Sequence, residues 1–397
     1  KFFREMARKR RHARKPGGRH DRRQLAPAVD IGGLSLWELK AIAYSCGGFR
    51  EQRKQAWALL LGIDTREQSR VLCENVEDVK EGRVVQADVQ RSCYSWDIHT
   101  RLPDSKREHM RADLRAVIVS VIKRHEGKMT YFQGLHDIAL VFLEVSQDVH
   151  LATLMTERFA LYYISDYLCW SFDQGLLPLT DSLGLLVRHV DPEVGNFFDS
   201  VGMPMHFAVP WVLTLLSHTL HGYEQVVRMF DCLLCSHPAT ILYFCCAMIV
   251  KHRTALLKAE QDMASVHHFL QSLPWDSETV DSLAPEVLRL QEIFSPEQFT
   301  KSLRTVRLPP TSPMLNYPFQ WLRNAQIQAV PASRAVKDAP IYWSRLRFVL
   351  AKQRWGLLQA AGLASCAAII AAASRNDLFV EVASAVVTWT LRTLPVF

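Results

Sequence analysis

Apolar residues that return every three or four positions, with few alternating β-branched runs, constrain residues 35–300 more than any other feature. That spacing gathers side chains on one face of an α-helix, so the expected fold class is all-α. The run after Pro103 is the clearest case. Asp104 is placed to cap it, Met110, Leu114, Val117, Ile118, Val121 and Ile122 form one stripe, Arg and Lys occupy the polar face, and Gly127 marks the stop. A shorter helix over 36–43 is broken by Cys46-Gly47-Gly48, and another runs from Arg50 to Leu61. No repeat of fixed period appears, which argues against a solenoid. With 49% of 397 residues apolar, the chain can bury a sizeable core.

The formal charge of +7 does not describe that core. Residues 1–23 hold eleven Lys and Arg against Glu5 and Asp21, a charge of +9 that leaves −2 for everything else. Residues 1–34 read as a basic, solvated, disordered tail, with contact to an anionic membrane surface as the sharper alternative. The nine cysteines are scattered, mostly in apolar stretches such as Tyr243-Phe244-Cys245-Cys246, and read as buried thiols of a reducing compartment. Cys232 and Cys235 form a C-x-x-C without a second pair or a histidine set, so no metal site is expected. The sequence lacks an initiating Met and an apolar signal core, which suggests a fragment and argues against secretion.

Prolines 309, 310, 313, 318 and 331 mark residues 301–347 as a linker. Residues 348–397 read as a C-terminal membrane anchor. The nineteen residues 355–373 carry no charge, just enough at ~1.5 Å per residue to span a bilayer core, although eight of them are alanine. Arg345, Arg347, Lys352 and Arg354 precede the span, which places the body on the cytoplasmic side. A single span, a hairpin that includes residues 378–391, and a buried Ala-rich helix are the alternatives.

Phosphate-binding loops, dinucleotide fingerprints, nucleophile elbows and H-E-x-x-H pairs are missing, so the chain is not expected to hold a nucleotide of its own. Two short polar constellations interrupt the apolar helices. In Val85-Gln86-Ala87-Asp88-Val89-Gln90-Arg91, three-residue spacing puts Val85, Asp88 and Arg91 on one strip, and Asp88 can aim Arg91. In Tyr131-Phe132-Gln133-Gly134-Leu135-His136-Asp137-Ile138, Gly134 permits close backbone approach to a ligand and Gln133 precedes a helix. A guanidinium and a side-chain amide are what a slow GTPase lacks, one to neutralise charge on the phosphoryl oxygens and one to orient water. Singly, Arg91 also reads as a surface ion pair and Gln133 as a helix cap.

Val85-x-x-Asp88-x-x-Arg91 resembles the I-x-x-D-x-x-R motif of the TBC (Tre-2/Bub2/Cdc16) Rab GTPase-activating domains, and Tyr131-Phe132-Gln133-Gly134 resembles their Y-x-Q-G motif. Gly48 to Leu61, with Arg53 and Trp57, is similar to the family's opening motif. Arg228-Met229-Phe230-Asp231 is similar to its R-x-[WF]-D, and Pro210 to Leu216 to its late W-x-[IL]-T-x-[FL] helix. The resemblance covers about residues 35–290. Residues 262–268 and 133–138 point to one branch of the family, which ends in a membrane segment. Departures are Val85 for isoleucine, Thr130 where glycine often stands, and Leu135-His136 for Met-Asn.

The resemblance implies a two-lobed helical domain with Arg91 as arginine finger and Gln133 as glutamine finger, supported by Asp88, Tyr131, Gly134, Asp137, Arg53, Trp57 and Asp231. His136, His267 and His268 are expected to be structural or interface residues, and Phe132 core rather than contact surface. The expected activity is GTPase activation in trans, without independent catalysis, on a Rab that brings its own GTP and Mg²⁺. No cofactor and no nucleic-acid partner are expected. The branch implies a Rab of endoplasmic reticulum to Golgi traffic and an endoplasmic reticulum membrane location. The alternatives are a catalytically idle scaffold on the same helices and a helical membrane protein whose basic tail binds nucleic acid.

Overall fold

A computed structural model describes residues 31 and 34–317 apart from residues 35, 64–71, 277 and 304–307. Among the described residues every regular element is a helix. The principal ones are α1 (Leu36–Ala43), α2 (Arg53–Leu60), α3 (Gly82–Arg91), α4 (Asp104–Arg124), α5 (Leu135–Ser146), α6 (Val149–Tyr162) and α7 (Leu176–Val190). They continue with α8 (Pro192–Ser200), α9 (Tyr223–Leu234), α10 (Thr240–Lys251), α11 (Met263–Gln271), α12 (Val280–Ile293) and α13 (Pro296–Ser302). Short-range chemistry starts several of them. The side chains of Asp148, Asp191, Asp262 and Thr279 accept from backbone N–H groups of the first turn, and Ser295 with Gln298 forms a capping box.

Packing sorts the helices into two sets. Helices α3 to α6 pack on one another, as do α7, α8, α10 and α12, while α9 touches α1, α2 and α5 on one side and α12 on the other. The rings of Trp57, Phe142, Phe159 and Phe230 meet where α2, α5, α6 and α9 converge, with centroids 5.3–6.0 Å apart. Burial of each such ring stabilises by roughly 1.5–3 kcal/mol, so this junction holds α2, α5, α6 and α9 together.

Two local expectations are corrected. Asp104 does not cap α4: Pro103 holds the cap position, and the Asp104 carboxylate accepts from Arg107 Nη1 at 2.6 Å. The motif Pro210–Leu216 is not one helix. A short helix, Val209–Leu213, ends in Leu215 and Leu216 with φ of +53° and +66°, and Leu216 N–H closes back on Trp211 C=O at 2.9 Å. That closure bonds the sixth residue to the first, as in a Schellman ending, but with leucine in a conformation that favours glycine. Both leucines are buried, which holds them there.

The helical packing continues past residue 300. Ser312 Oγ donates to the buried Asp166 Oδ2 at 2.6 Å, Met314 is buried, and Tyr317 lies edge-on to His237. Cys93, Cys232, Cys235, Cys245 and Cys246 are buried free thiols, whereas Cys46 and Cys169 are exposed. Most of the expected basic tail, and all of the expected anchor at residues 348–397, lie outside the described residues. Among the described residues no helix is long and apolar enough to cross a membrane.

Candidate functional site

The three-residue strip of α3 forms as its spacing dictates. Val85 and Asp88 face the core and are fully buried, while Arg91, on the last turn, leaves 58% of its side chain exposed. Arg91 Nη2 donates to Asp88 Oδ1. The other carboxylate oxygen, Oδ2, accepts from the Tyr131 hydroxyl at 2.7 Å. Tyr131 stands two residues before the exposed Gln133, so one buried carboxylate ties the arginine motif to the glutamine motif. Burial drives the Tyr131 hydroxyl far above its usual pKa, and the bond to Asp88 acts in the same direction, so it stays a donor.

Gly134, not Gln133, takes the cap position of α5, with φ of +129°. A Cβ there would lie 3.1 Å from Thr214 Cγ2 and 3.3 Å from Phe132. The close approach that glycine permits is therefore made by the protein's own chain, from the turn after Leu213. That turn also sets His218 against α5, with Nδ1 3.1 Å from Asp137 Oδ2. Asp137 is buried, and its Oδ2 lies 3.5 Å from Nε2 of the buried His136, whose Nδ1 is 3.0 Å from the Tyr131 oxygen. Burial lowers the pKa of His136, and the hydrogen bond to Asp137 raises that of His218. Phe132 is half-buried, edge-on to Tyr167. His267 and His268 are exposed on α11.

Arg53, Trp57 and Asp231 come together elsewhere, at the junction of α2 and α9. Asp231 Oδ1 accepts from the Trp57 indole at 2.8 Å, and Oδ2 accepts from Arg53 Nε at 3.1 Å, Arg228 Nη1 at 3.2 Å and Phe49 N–H at 3.3 Å. Arg53 also bonds Glu224, and Arg228 bonds Asp281 and the carbonyls of Ala43 and Ser45. Gly48, with φ of +55°, passes so close that a Cβ would fall 2.2 Å from Arg228 Nη1 and Asp231 Oδ2. Here the glycine is required by space as well as by φ. Arg53, Arg228 and Asp231 are buried and Glu224 is the exposed member, so the network ties α2 to α9 from within the core.

Two site residues escaped the sequence reading. Arg107 and Arg111 were placed on the polar face of α4, yet both are buried. Arg107 donates to the carbonyls of Cys93 and His99 at 3.2 Å, and Arg111 donates twice to Ser92 C=O at 3.3 Å. Their guanidinium carbons sit 4.3 and 5.1 Å from the centroid of the exposed Tyr94 ring. They clamp the chain directly after Arg91. The signal was present, since positions 107, 111, 114 and 118 continue a single helical strip into the apolar stripe.

Among the described residues no cluster of three or more His, Cys, Asp or Glu side chains could hold a metal ion. What the arrangement offers chemically is a cation held on a buried carboxylate and, near the same carboxylate's second partner in the chain, an exposed neutral amide. An all-helical body that brings the two motifs together on one buried aspartate agrees with the TBC resemblance of the sequence. The chain belongs to that family: the family model described as the Rab-GTPase-TBC domain matches residues 50–257, just over half of the chain. It is 30% identical over 256 residues to mouse TBC1 domain family member 20, a match covering 64% of this chain and 62% of the mouse protein. It is 26% identical over 227 residues to the GTPase-activating protein gyp10 of Schizosaccharomyces pombe, covering 56% of this chain and 59% of gyp10. The chain thus spans about three fifths of the length of the curated relatives it matches. In fold it is similar to the crystal structure of the Ypt/Rab-GAP domain of Gyp1p, with a TM-score of 0.51 at 19% identity over 67% of this chain and 96% of that one.

Proposed function

We propose that this chain stimulates GTP hydrolysis by a Rab-type small GTPase, with Arg91 and Gln133 supplied in trans. The observation that carries the reading is the shared anchor. Asp88 holds the exposed Arg91 on one oxygen and, on the other, Tyr131, two residues before the exposed Gln133, so the arginine and glutamine motifs share one support. The mouse and yeast relatives, one of them named a GTPase-activating protein, support the same class of partner.

Docked on a GTP-loaded Rab with its Mg²⁺, Arg91 spends donors not used on Asp88 on the phosphoryl oxygens, where negative charge builds as the bond to the leaving phosphate breaks. Guanidinium has five donors in a planar fork, so holding Asp88 and phosphate together is geometrically open to it. Gln133 accepts from the attacking water with its carbonyl and aligns it with the γ-phosphorus. The protein needs no nucleotide or metal of its own for this, and no nucleic-acid partner. Positioning and charge neutralisation supply the rate, and an arginine finger is worth about 10³–10⁵.

Residues 355–373 serve in this reading as a C-terminal membrane anchor that leaves the helical body in the cytoplasm, at the endoplasmic reticulum membrane, with a Rab of endoplasmic reticulum to Golgi traffic as substrate. The resemblance to TBC1 domain family member 20 supports the choice of branch. The uncharged run in the sequence supports the anchor.

Single-turnover GTP hydrolysis across a panel of Rabs, with wild type, Arg91→Ala and Gln133→Ala, tests the proposal. Acceleration by wild type that collapses in both variants, with helical circular dichroism unchanged, is the expected result. Failure of wild type to accelerate any Rab would refute it and leave a helical Rab-binding scaffold as the reading to pursue.

A further inference from the structure

We infer that His136 is a positioning residue for the Arg91 finger, acting through the Tyr131 hydroxyl and the Asp88 carboxylate. The inference rests on the proposed GTPase-activating role for its kinetic consequence, but its structural part stands on hydrogen counting alone.

Asp88 is fully buried and, as a carboxylate, can only accept. Its Oδ1 takes Arg91 and its Oδ2 takes the single proton of the Tyr131 hydroxyl at 2.7 Å. With that proton committed, the Tyr131 oxygen can only accept from its remaining neighbour, His136 Nδ1, at 3.0 Å. His136 must therefore carry a hydrogen on Nδ1. In the opposite tautomer Nδ1 would be a second acceptor facing the one Tyr131 proton, so either Nδ1 or Asp88 Oδ2 would be left unpaired in the core. A buried polar atom without a partner bears the full desolvation penalty of that group. The nearest remedy is a second bond from Arg91, which would draw the guanidinium inward, away from a docked nucleotide.

The charged and titratable groups around the ring select the tautomer. Asp88 and Arg91 face it from α3, Tyr131 from the segment before α5, Asp137 from its own helix and His218 from the turn after Leu213. Asp137 is the group that would favour hydrogen on Nε2, but its Oδ2 accepts from His218 at 3.1 Å and stands 3.5 Å from His136 Nε2 without forming a hydrogen bond. His218 thus occupies the acceptor that would otherwise pull the proton to the wrong nitrogen. Protonating His136 fully would keep the Nδ1 hydrogen, while burial holds the ring neutral.

Two variants separate donor from shape. In His136→Asn the side-chain amide nitrogen can replace Nδ1–H as donor to Tyr131, whereas His136→Leu fills the space without one. The first readout is ring ¹⁵N NMR of the full chain, assigned by the signal missing in His136→Asn. The inference expects the Nδ1–H tautomer at neutral pH, and the Nε2–H tautomer would overturn it whether or not any Rab responds. The second is single-turnover hydrolysis on a Rab that wild type accelerates. His136→Leu leaves the Tyr131 oxygen without a donor and its hydroxyl held by Asp88 alone; the looser aim of Arg91 should lower the maximal rate severalfold, since displacement of a catalytic group by an ångström can cost up to 10²-fold. The half-saturating concentration should stay within about twofold, and His136→Asn should restore most of the rate. Equal rates for Leu and wild type would overturn the inference while leaving the proposed function intact. Absence of acceleration by wild type would refute that function, and the NMR result would still decide the tautomer.

Discussion

Asp231 and Asp88 are both fully buried carboxylates that accept from an arginine and from an aromatic donor, yet they do opposite things with their arginines. Around Asp231 the arginines are sealed in: Arg53 is 11% and Arg228 is 2% exposed, and each meets further carboxylates or carbonyls. Around Asp88 the arginine is more than half exposed and the carboxylate is its recorded partner. The first arrangement uses charge to join α2 to α9. The second uses a buried anion to hold a cation in solvent with donors to spare. A buried ion pair is not by itself evidence of function. What separates the two is whether the guanidinium has been left work to do.

Breaking each in turn should give contrasting results. The largest effect expected is Arg91→Ala, a loss of about 10³–10⁵ in stimulated hydrolysis. Its stability should fall by about 1–3 kcal/mol, because the buried Asp88 Oδ1 loses its donor. Parallel kinetics and urea unfolding check this. Asp231→Ala should do the reverse, destabilising the fold by about 3–5 kcal/mol through two stranded buried arginines, read as a lower urea midpoint. Tyr131→Phe lies between: losing the donor to Asp88 should cost about 1–3 kcal/mol of stability and lower the rate while sparing Rab binding, measured by titration. An unchanged rate in Tyr131→Phe would show that Asp88 holds Arg91 without help.

The smallest effect sharpens the Asp88 side. The pKa of His218 is raised above its unfolded value of about 6.5 by the hydrogen bond to Asp137. A raised histidine contributes stability that is fully present below the unfolded pKa and is lost as pH rises through the folded pKa. Wild type should therefore exceed His218→Gln in stability below about pH 6.5, with the gap closing as pH rises through the raised folded pKa. Because His218 is largely exposed, solvent screening keeps the gap small. A gap that widened with pH would contradict the pairing.

Much of this was legible from short-range spacing. The stripe of Leu114, Val117, Ile118, Val121 and Ile122 is buried as its periodicity requires, and the bond between Asp88 and Arg91 follows from three-residue spacing. The contact from Tyr131 to Asp88 crosses 43 residues, and no periodicity reports it. Arg107 and Arg111 lie on the buried strip of a helix whose charge alone suggests a polar face, because carbonyls after Arg91 take donors from both, a partner that charge and spacing do not report. The break after Leu213 escaped because two leucines adopt positive φ, which the sequence itself disfavours and only burial compensates. Family resemblance brought Arg53, Trp57 and Asp231 to notice together, but only geometry shows that they belong to the core and not to the exposed pair.

The bond from Ser312 to Asp166 has a practical consequence for where the folded body ends. Burial lifts the Asp166 carboxyl to about 7, and its Oδ1 has no hydrogen-bond partner, so the serine hydroxyl is what satisfies this group. A fragment cut at the last residue of α13 would keep every principal helix and both fingers, yet it would strip the cover from a buried acid two residues before Leu168, whose carbonyl accepts from Thr130 N–H at 2.8 Å. A piece of this chain that keeps Asp166 covered must include Ser312, the cap of the short helix Pro313–Asn316, and trimming to the end of α13 would loosen the stretch of chain that presents Gln133.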